Sequence, residues 1–251
     1  MKKVALVTGA SAGLGVEFAR QLSKRGHRLV LAARRKERLE GLAAELGNAR
    51  SVAIDLSKKD AAAKLMADLE ANGETVDLLV NNAGFGLIGR FAKGDPKRLR
   101  QMIDLNVATL TDLCRAVAEA MIKRKAGGII NVASTAAFQP GPNMAVYFAT
   151  KAFVLSFTEA LHEELKPHGV HVTCLCPGPT RTEFGEVAGF GGNSLFDRVA
   201  MDSPEVVTAG LNGLDKNKAV VVPGLINKVT ASSGRFAPRS VVRKIAGAIK
   251  Y

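Results

Sequence analysis

The sequence predicts an α/β fold, a doubly wound parallel sheet of about seven strands with helices on both faces. Two observations carry this. Short apolar runs rich in β-branched residues alternate with longer amphipathic stretches along the chain. A glycine-rich turn, Thr8 to Gly15, joins the first apolar run to the first helical stretch. Strict strand–helix alternation needs crossover connections, and these leave the strands parallel with helices packed above and below.

The elements follow in order. Strands are expected at 4–7, 29–33, 51–54, 78–80, 128–132, 171–175 and 219–222, each too short and too β-branched for a buried helix. Helices are expected at 13–24, 36–46, 58–71, 96–123, 147–166 and 204–214. Asp95 before Pro96 is a good helix start. Gly26, Gly47, Gly73, Gly127 and Gly169 stand where helices should stop. The stretch 177–203 is glycine-rich, carries Phe184, Phe190 and Phe196, and shows no clear periodicity, so 179–203 is expected to be a substrate-binding loop. Beyond Pro223 lies a basic amphipathic tail with a last helix expected at 240–250. No repeat or linker divides the 251 residues, which points to a single domain spanning 1–251.

Composition narrows the class. Apolar residues make up 47% of the chain, enough for a packed core. Cys114, Cys174 and Cys176 are too few for a disulfide framework and read as buried thiols of a cytoplasmic protein. No apolar run reaches the ~18 residues that span a bilayer, and the opening Met-Lys-Lys-Val-Ala-Leu-Val reads as a buried strand rather than a leader. The net charge is +12, but the basic residues are scattered and aromatics are only 5%, which argues against nucleic acid and for a solvated basic surface. The four histidines have no metal-ligand spacing, and no metal is expected.

Gly9, Gly13 and Gly15, with Ser11 and Leu14 between them, lie where strand passes into helix. Such a turn lets the backbone approach a pyrophosphate and aims a helix N-terminus at its charge. At the end of the second strand, NAD binders place an acidic residue to bond the ribose 2′-hydroxyl. This chain has Arg34 and Arg35 there, which suit a 2′-phosphate, so the expected cofactor is NADP(H). Ser11 adds a hydroxyl toward the same phosphate. Asp55, followed by Leu56, is expected at the adenine, and Asn82, Ala83 and Gly84 close the fourth strand beside the ribose.

Tyr147 and Lys151 lie 13 and 17 residues after Ser134. On a helix, positions i and i+4 share a face, so the ammonium should sit near the phenol and lower its pKa. A phenol so tuned exchanges a proton with an oxygen on carbon, and a serine hydroxyl can hold that oxygen.

These motifs together resemble the short-chain dehydrogenase/reductase family. The matches are Thr8-Gly-Ala-Ser-Ala-Gly-Leu-Gly15, Asn81-Asn-Ala-Gly84, Asn106 in Leu-Asn-Val, Ser134, Tyr147-x-x-x-Lys151, and Pro177-Gly178 with Thr180 and Thr182. They run in family order over nearly the whole chain. The resemblance implies a Rossmann fold and a catalytic tetrad of Asn106, Ser134, Tyr147 and Lys151. Tyr147 would be the acid in reduction, Lys151 would bond the nicotinamide ribose, Ser134 would position the substrate oxygen, and Asn106 would hold a water leading from Lys151 to solvent. Pro177, Gly178, Thr180 and Thr182 would line the nicotinamide and pyrophosphate. The tail after Val222 is similar to ketoacyl and hydroxysteroid reductases of the family. A homodimer or homotetramer is usual there, often through the helices near Asn106 and Tyr147.

The activity so implied is hydride transfer between NADP(H) and a small-molecule carbonyl or secondary alcohol. The candidate wall residues Phe85, Leu87, Ile88, Phe138, Gln139 and Met144 are mostly apolar. They point to a ketone, aldehyde or 3-ketoacyl thioester. The alternative is a regulatory protein that binds NADP(H) without turnover.

Overall fold

The computed structural model describes residues 2–189, 200–234 and 238–248. Its frame is a seven-stranded sheet with the order β3-β2-β1-β4-β5-β6-β7. The strands are β1 (Val4–Thr8), β2 (Arg28–Ala33), β3 (Ala49–Ala53), β4 (Val76–Asn81), β5 (Gly127–Val132), β6 (Val170–Leu175) and β7 (Val220–Val221), and all neighbours pair in parallel. The helices are α1 (Gly13–Lys24), α2 (Lys36–Leu46), α3 (Ala61–Ala71), α4 (Pro96–Ile103), α5 (Leu110–Lys123), α6 (Ala145–Leu165), α7 (Phe184–Ala188), α8 (Ser203–Asp215), α9 (Leu225–Ser233) and α10 (Arg239–Ala248).

The alternation of side chains along β1 explains why helices cover both faces. Val4 and Leu6 join one buried cluster, with Leu65 of α3, Val117 of α5 and Val154 of α6. Ala5 and Val7 point the opposite way, into a second cluster with Phe18 of α1, Leu39 of α2 and Leu211 of α8. Every residue of β1 is buried, as expected of a central parallel strand. Burying a leucine such as Leu6 or Leu79 stabilises the fold by ~1.5–3 kcal/mol. The sheet is therefore the rigid platform on which the loops stand.

The predicted elements are present with shifted ends and one internal change. The helix expected at 96–123 is interrupted: α4 passes through a π-helical turn, Asp104–Thr109, into α5. Its start is capped as expected, with Asp95 accepting from the Lys97 N–H at 3.0 Å. Gly127 is not the cap predicted for it. It is the first residue of β5, where a Cβ would press on the Met121 side chain, and Lys125 takes the left-handed turn instead, with φ 54°. The other four predicted stop glycines have positive φ. The stretch 177–203 is not wholly irregular, since it contains α7 and a bridge between Thr180 and Met201. Phe190 and Phe196 lie outside the described residues. The tail carries two helices, α9 and α10, where one was expected.

The strand order reverses between β1 and β4. The chain leaves β1 toward β2 and β3, then returns to build β4 on the other side. The connections therefore diverge above the C-terminal ends of β1 and β4 and open a crevice there, the usual binding place in such sheets. No helix among the described residues is long and apolar enough to cross a membrane.

Candidate active site

A cavity of about 530 Å³ occupies this crevice. Of the catalytic and cofactor-binding residues that the sequence nominated, all but Gly15 and Asn106 line it. Both exceptions have a structural reason to stand just behind the wall. Of the six expected wall residues, Phe85, Gln139 and Met144 line the cavity, whereas Leu87, Ile88 and Phe138 pack against the core instead.

Gly15 lies under the glycine turn. A Cβ there would sit 2.2 Å from the Gly9 carbonyl oxygen, so only glycine lets helix α1 start this close to β1. Gly9 has φ 67° and Gly13 φ 53°, in the left-handed region that glycine takes without strain. A Cβ on Gly13 would meet Thr182 at 3.1 Å, which places Thr182 against the turn. Asn82 fixes the turn from below, its Nδ2 donating to the carbonyls of Thr8 at 3.0 Å and Gly9 at 3.3 Å. The Thr8 hydroxyl accepts from the N–H groups of Asn82 and Ala83, both at 3.0 Å. The role of Thr8 was not visible in the sequence, where it read as the first residue of the glycine turn; it is the last residue of β1.

Asn106 sits within the π turn, with its side chain buried. Its Nδ2 donates to the Phe85 carbonyl at 3.0 Å and to the Thr150 hydroxyl at 3.1 Å, and its Oδ1 accepts from the Phe85 N–H at 3.2 Å. It thus braces the segment after β4 against α6, one residue from Lys151. Both amide hydrogens are committed, and only Oδ1 has a lone pair left for the water that the resemblance expects.

Ser134 follows β5 and caps a 3-10 turn, Thr135–Phe138, by accepting from the Ala136 N–H at 3.1 Å. Tyr147 and Lys151 lie one turn apart near the start of α6, both buried. The Ser134 hydroxyl stands beside the phenol of Tyr147 and favours its ionised form. The Lys151 ammonium donates to the Val132 carbonyl at 2.7 Å and lies 5.8 Å from the centre of the Tyr147 ring. The Tyr147 ring tilts against Phe184, with centroids 5.5 Å apart.

The electrostatics correct one expectation. Burial pushes the Tyr147 phenol up to about 12, with the Ser134 hydroxyl pulling the other way. Burial also pulls the Lys151 ammonium down to about 8. Desolvation outweighs any help that the lysine gives the phenolate in this structure. At neutral pH Tyr147 carries its proton and Lys151 is mostly charged. The site is set as an acid with a cation behind it.

At the other end of the crevice the arginines divide their work. Arg35 donates from Nε to the Ser11 hydroxyl and from one terminal nitrogen to the Ser11 carbonyl, each at 3.2 Å. Its other terminal nitrogen bonds Glu183 at 2.8 Å, and Arg38 bonds the same carboxylate at 2.5 Å. These partners hold the Glu183 carboxyl below its usual range. Arg34 lines the cavity near Asp55, whose Oδ1 accepts from the Ser57 hydroxyl at 2.7 Å and the Ser57 N–H at 3.1 Å. Glu183 and Arg38 carried no sequence signal, because the residues that they join are 145 to 148 positions apart. The residues fit a dinucleotide phosphate. A turn with no room for a Cβ faces the cavity, and a guanidinium–hydroxyl pair lies beside it.

Among the described residues no cluster of His, Cys, Asp or Glu is arranged to hold a metal ion. Cys174 and Cys176 share a face, with sulfurs 3.6 Å apart, and are free thiols.

A parallel sheet with its crevice at a topological switch point, a glycine turn and a Ser–Tyr–Lys group define a nucleotide-dependent oxidoreductase architecture. The sequence model of the short chain dehydrogenase family matches residues 3–189. Serine 3-dehydrogenase of Agrobacterium fabrum is 37% identical over 201 residues, 79% of this chain and 80% of that protein. An NADP-dependent 3-hydroxy acid dehydrogenase of Shigella flexneri is 40% identical over 220 residues, 86% of this chain and 87% of that protein. A short-chain dehydrogenase from Sphingobium yanoikuyae, solved in complex with NADPH, is 33% identical with a TM-score of 0.85, covering 99% of this chain and 96% of that one. The chain belongs to the short-chain dehydrogenase/reductase family.

Proposed function

We propose that this protein is an NADP-dependent oxidoreductase that reduces an apolar ketone, aldehyde or 3-ketoacyl substrate to the secondary or primary alcohol. The observation that carries the reading is the convergence of Ser134, Tyr147 and Lys151 at the inner end of a crevice whose outer end holds Ser11 and Arg35. NADPH, when bound, supplies the hydride. Gly9, Gly13 and the start of α1 would hold its pyrophosphate, and Arg35, Arg34 and Ser11 its 2′-phosphate.

The chain's own residues do the rest. Ser134 donates a hydrogen bond to the substrate oxygen as charge develops there, a contribution of a few kcal/mol for a well-placed donor. Tyr147 gives its proton to that oxygen. Lys151, charged below pH about 8, steadies the phenolate left behind. Phe85, Met144 and Phe184 pack around Tyr147 and form an apolar wall. Such a wall favours a substrate whose carbonyl neighbours are hydrocarbon and keeps water from the reacting oxygen. A homodimer or homotetramer through α5 and α6 accords with Phe153, which is partly exposed on α6 and stacked on Phe157 at 5.7 Å.

The test is a spectrophotometric panel of NADPH and NADH against ketones, aldehydes and acyl thioesters. Turnover with NADPH is expected. Arg35→Ala and Arg34→Ala should each weaken NADPH use tenfold or more, about 1.4 kcal/mol, and NADH use far less. Tight NADPH binding with no turnover on any carbonyl would favour the regulatory alternative. Equal losses with both cofactors would overturn the 2′-phosphate assignment.

A further inference from the structure

We propose that the two C-terminal helices form a docking surface for an anionic lipid bilayer, beside the mouth of the substrate cavity. The charge is lopsided along the chain. After Asp215 the sequence has no Asp or Glu as far as Tyr251, yet it carries eight Lys and Arg against a whole-chain net charge of +12. The apolar surface is lopsided in the same place. Five of the nine exposed large apolar side chains among the described residues lie on α9 and α10.

The two features fall on the same two helices. On α9, Asn227 and Ala231 face inward. Asn227 bonds the Pro223 carbonyl and Ala231 is buried. Leu225 and Ile226 are exposed to 77% and 72%, and Val229, one turn on, to 63%. On α10, Ala246 is buried while Val241 and Ile245, four apart, are exposed. Lys228, Arg239, Arg243 and Lys244 are exposed among them. Aliphatic side chains with basic neighbours and no acidic ones are what a helix lying in a membrane interface needs. The apolar groups enter the acyl boundary while the cations meet anionic headgroups. Charge decides the occupant. A second copy docked face to face would bring the same cations against this face and be repelled, and a nucleic acid would leave the aliphatic side chains without an apolar partner.

The position gives the surface a use. α9 packs on the turn Thr135–Phe138 that follows Ser134. Gly247 of α10 lies against Pro142. Pro142 stands between Gln139 and Met144, both of which line the cavity. A docked protein would open its pocket toward the bilayer, where an apolar carbonyl compound concentrates. This delivery role rests on the proposed function, whereas the docking itself does not.

The experiment is cosedimentation of the full chain with vesicles of phosphatidylcholine, and of phosphatidylcholine with about one third phosphatidylglycerol, at low and high salt. Two variants accompany it, R239E/R243E/K244E and L225S/V229S, with thermal melting and NADPH affinity as controls for folding. The wild type is expected to pellet with anionic vesicles only and to be released by salt. Each variant should lose about tenfold or more of that partitioning while its melting temperature and NADPH affinity hold. Equal binding to both vesicle types, no binding, or variants that bind like the wild type would overturn the proposal. A dimer-to-monomer change for L225S/V229S in sedimentation velocity would give the face to a second copy. Capture by an acidic protein without vesicle binding would give it to a protein partner. Vesicle binding in a protein with no turnover would instead reject the catalytic reading and leave the docking standing.

Discussion

Burial acts on Tyr147 and Lys151 in opposite directions, because one is neutral and the other charged when protonated. The phenol is pushed up to about 12 and the ammonium down to about 8. The sign of the pH dependence follows. Below pH about 8 Lys151 is charged and Tyr147 holds a proton to give, so carbonyl reduction is supported. As pH rises through about 8 the lysine loses its charge, and reduction should slow. A profile of kcat for reduction from pH 5.5 to 10 checks this. A rate that stays level or rises to pH 10 would contradict the assignment of the limb to Lys151. The pair was legible in the sequence because helical spacing fixes neighbours. The direction of the phenol's shift was not, because desolvation depends on Phe148, Phe184 and the sheet packed around it.

Whole elements set the site through two devices that no local pattern announces. The π turn at Asp104–Thr109 directs Asn106 at Phe85 and Thr150 and ties α6 to the end of β4. Such one-turn insertions recur at functional positions. The sequence here reads as uninterrupted helix because a π turn needs no special residue. The second device joins the start of α2 to the residue before α7 across the crevice, through Glu183 and the pair Arg35 and Arg38. A 2′-phosphate at Arg35 and Ser11 would compete with that carboxylate. Glu183→Gln should therefore tighten NADPH binding a few-fold and leave NADH binding nearly unchanged, as measured by fluorescence titration. The effect is modest because the bridge is exposed to solvent. Weaker NADPH binding in the variant would mean that Glu183 aligns the arginines rather than competing for them. Phe184 follows Glu183 and lies on the Tyr147 ring, so the two ends of the cavity share one short segment.

At the scale of the molecule, the order of short apolar runs and amphipathic stretches was sufficient to give a parallel sheet covered on both faces. Leu6 and Val7, adjacent in sequence, enter different cores, as a strand covered by helices on both faces requires. The cofactor crevice was legible for the same reason, since Gly9, Asp55 and Asn82 each stand at a strand's end. What stayed hidden depends on distant partners. Glu183 meets Arg35 only after the chain has wound across the sheet, and the exposure of Leu225 and Ile226 emerges only when α9 finds its inward face. One crevice binds the cofactor and carries the reaction through separable groups. The measurement that tests this most directly is Tyr147→Phe assayed side by side for NADPH affinity and for single-turnover reduction. The expected result is an unchanged dissociation constant with a rate lowered about a thousandfold, equivalent to ~4 kcal/mol of barrier. A variant that binds NADPH normally and still reduces its carbonyl substrate at the wild-type rate would contradict it.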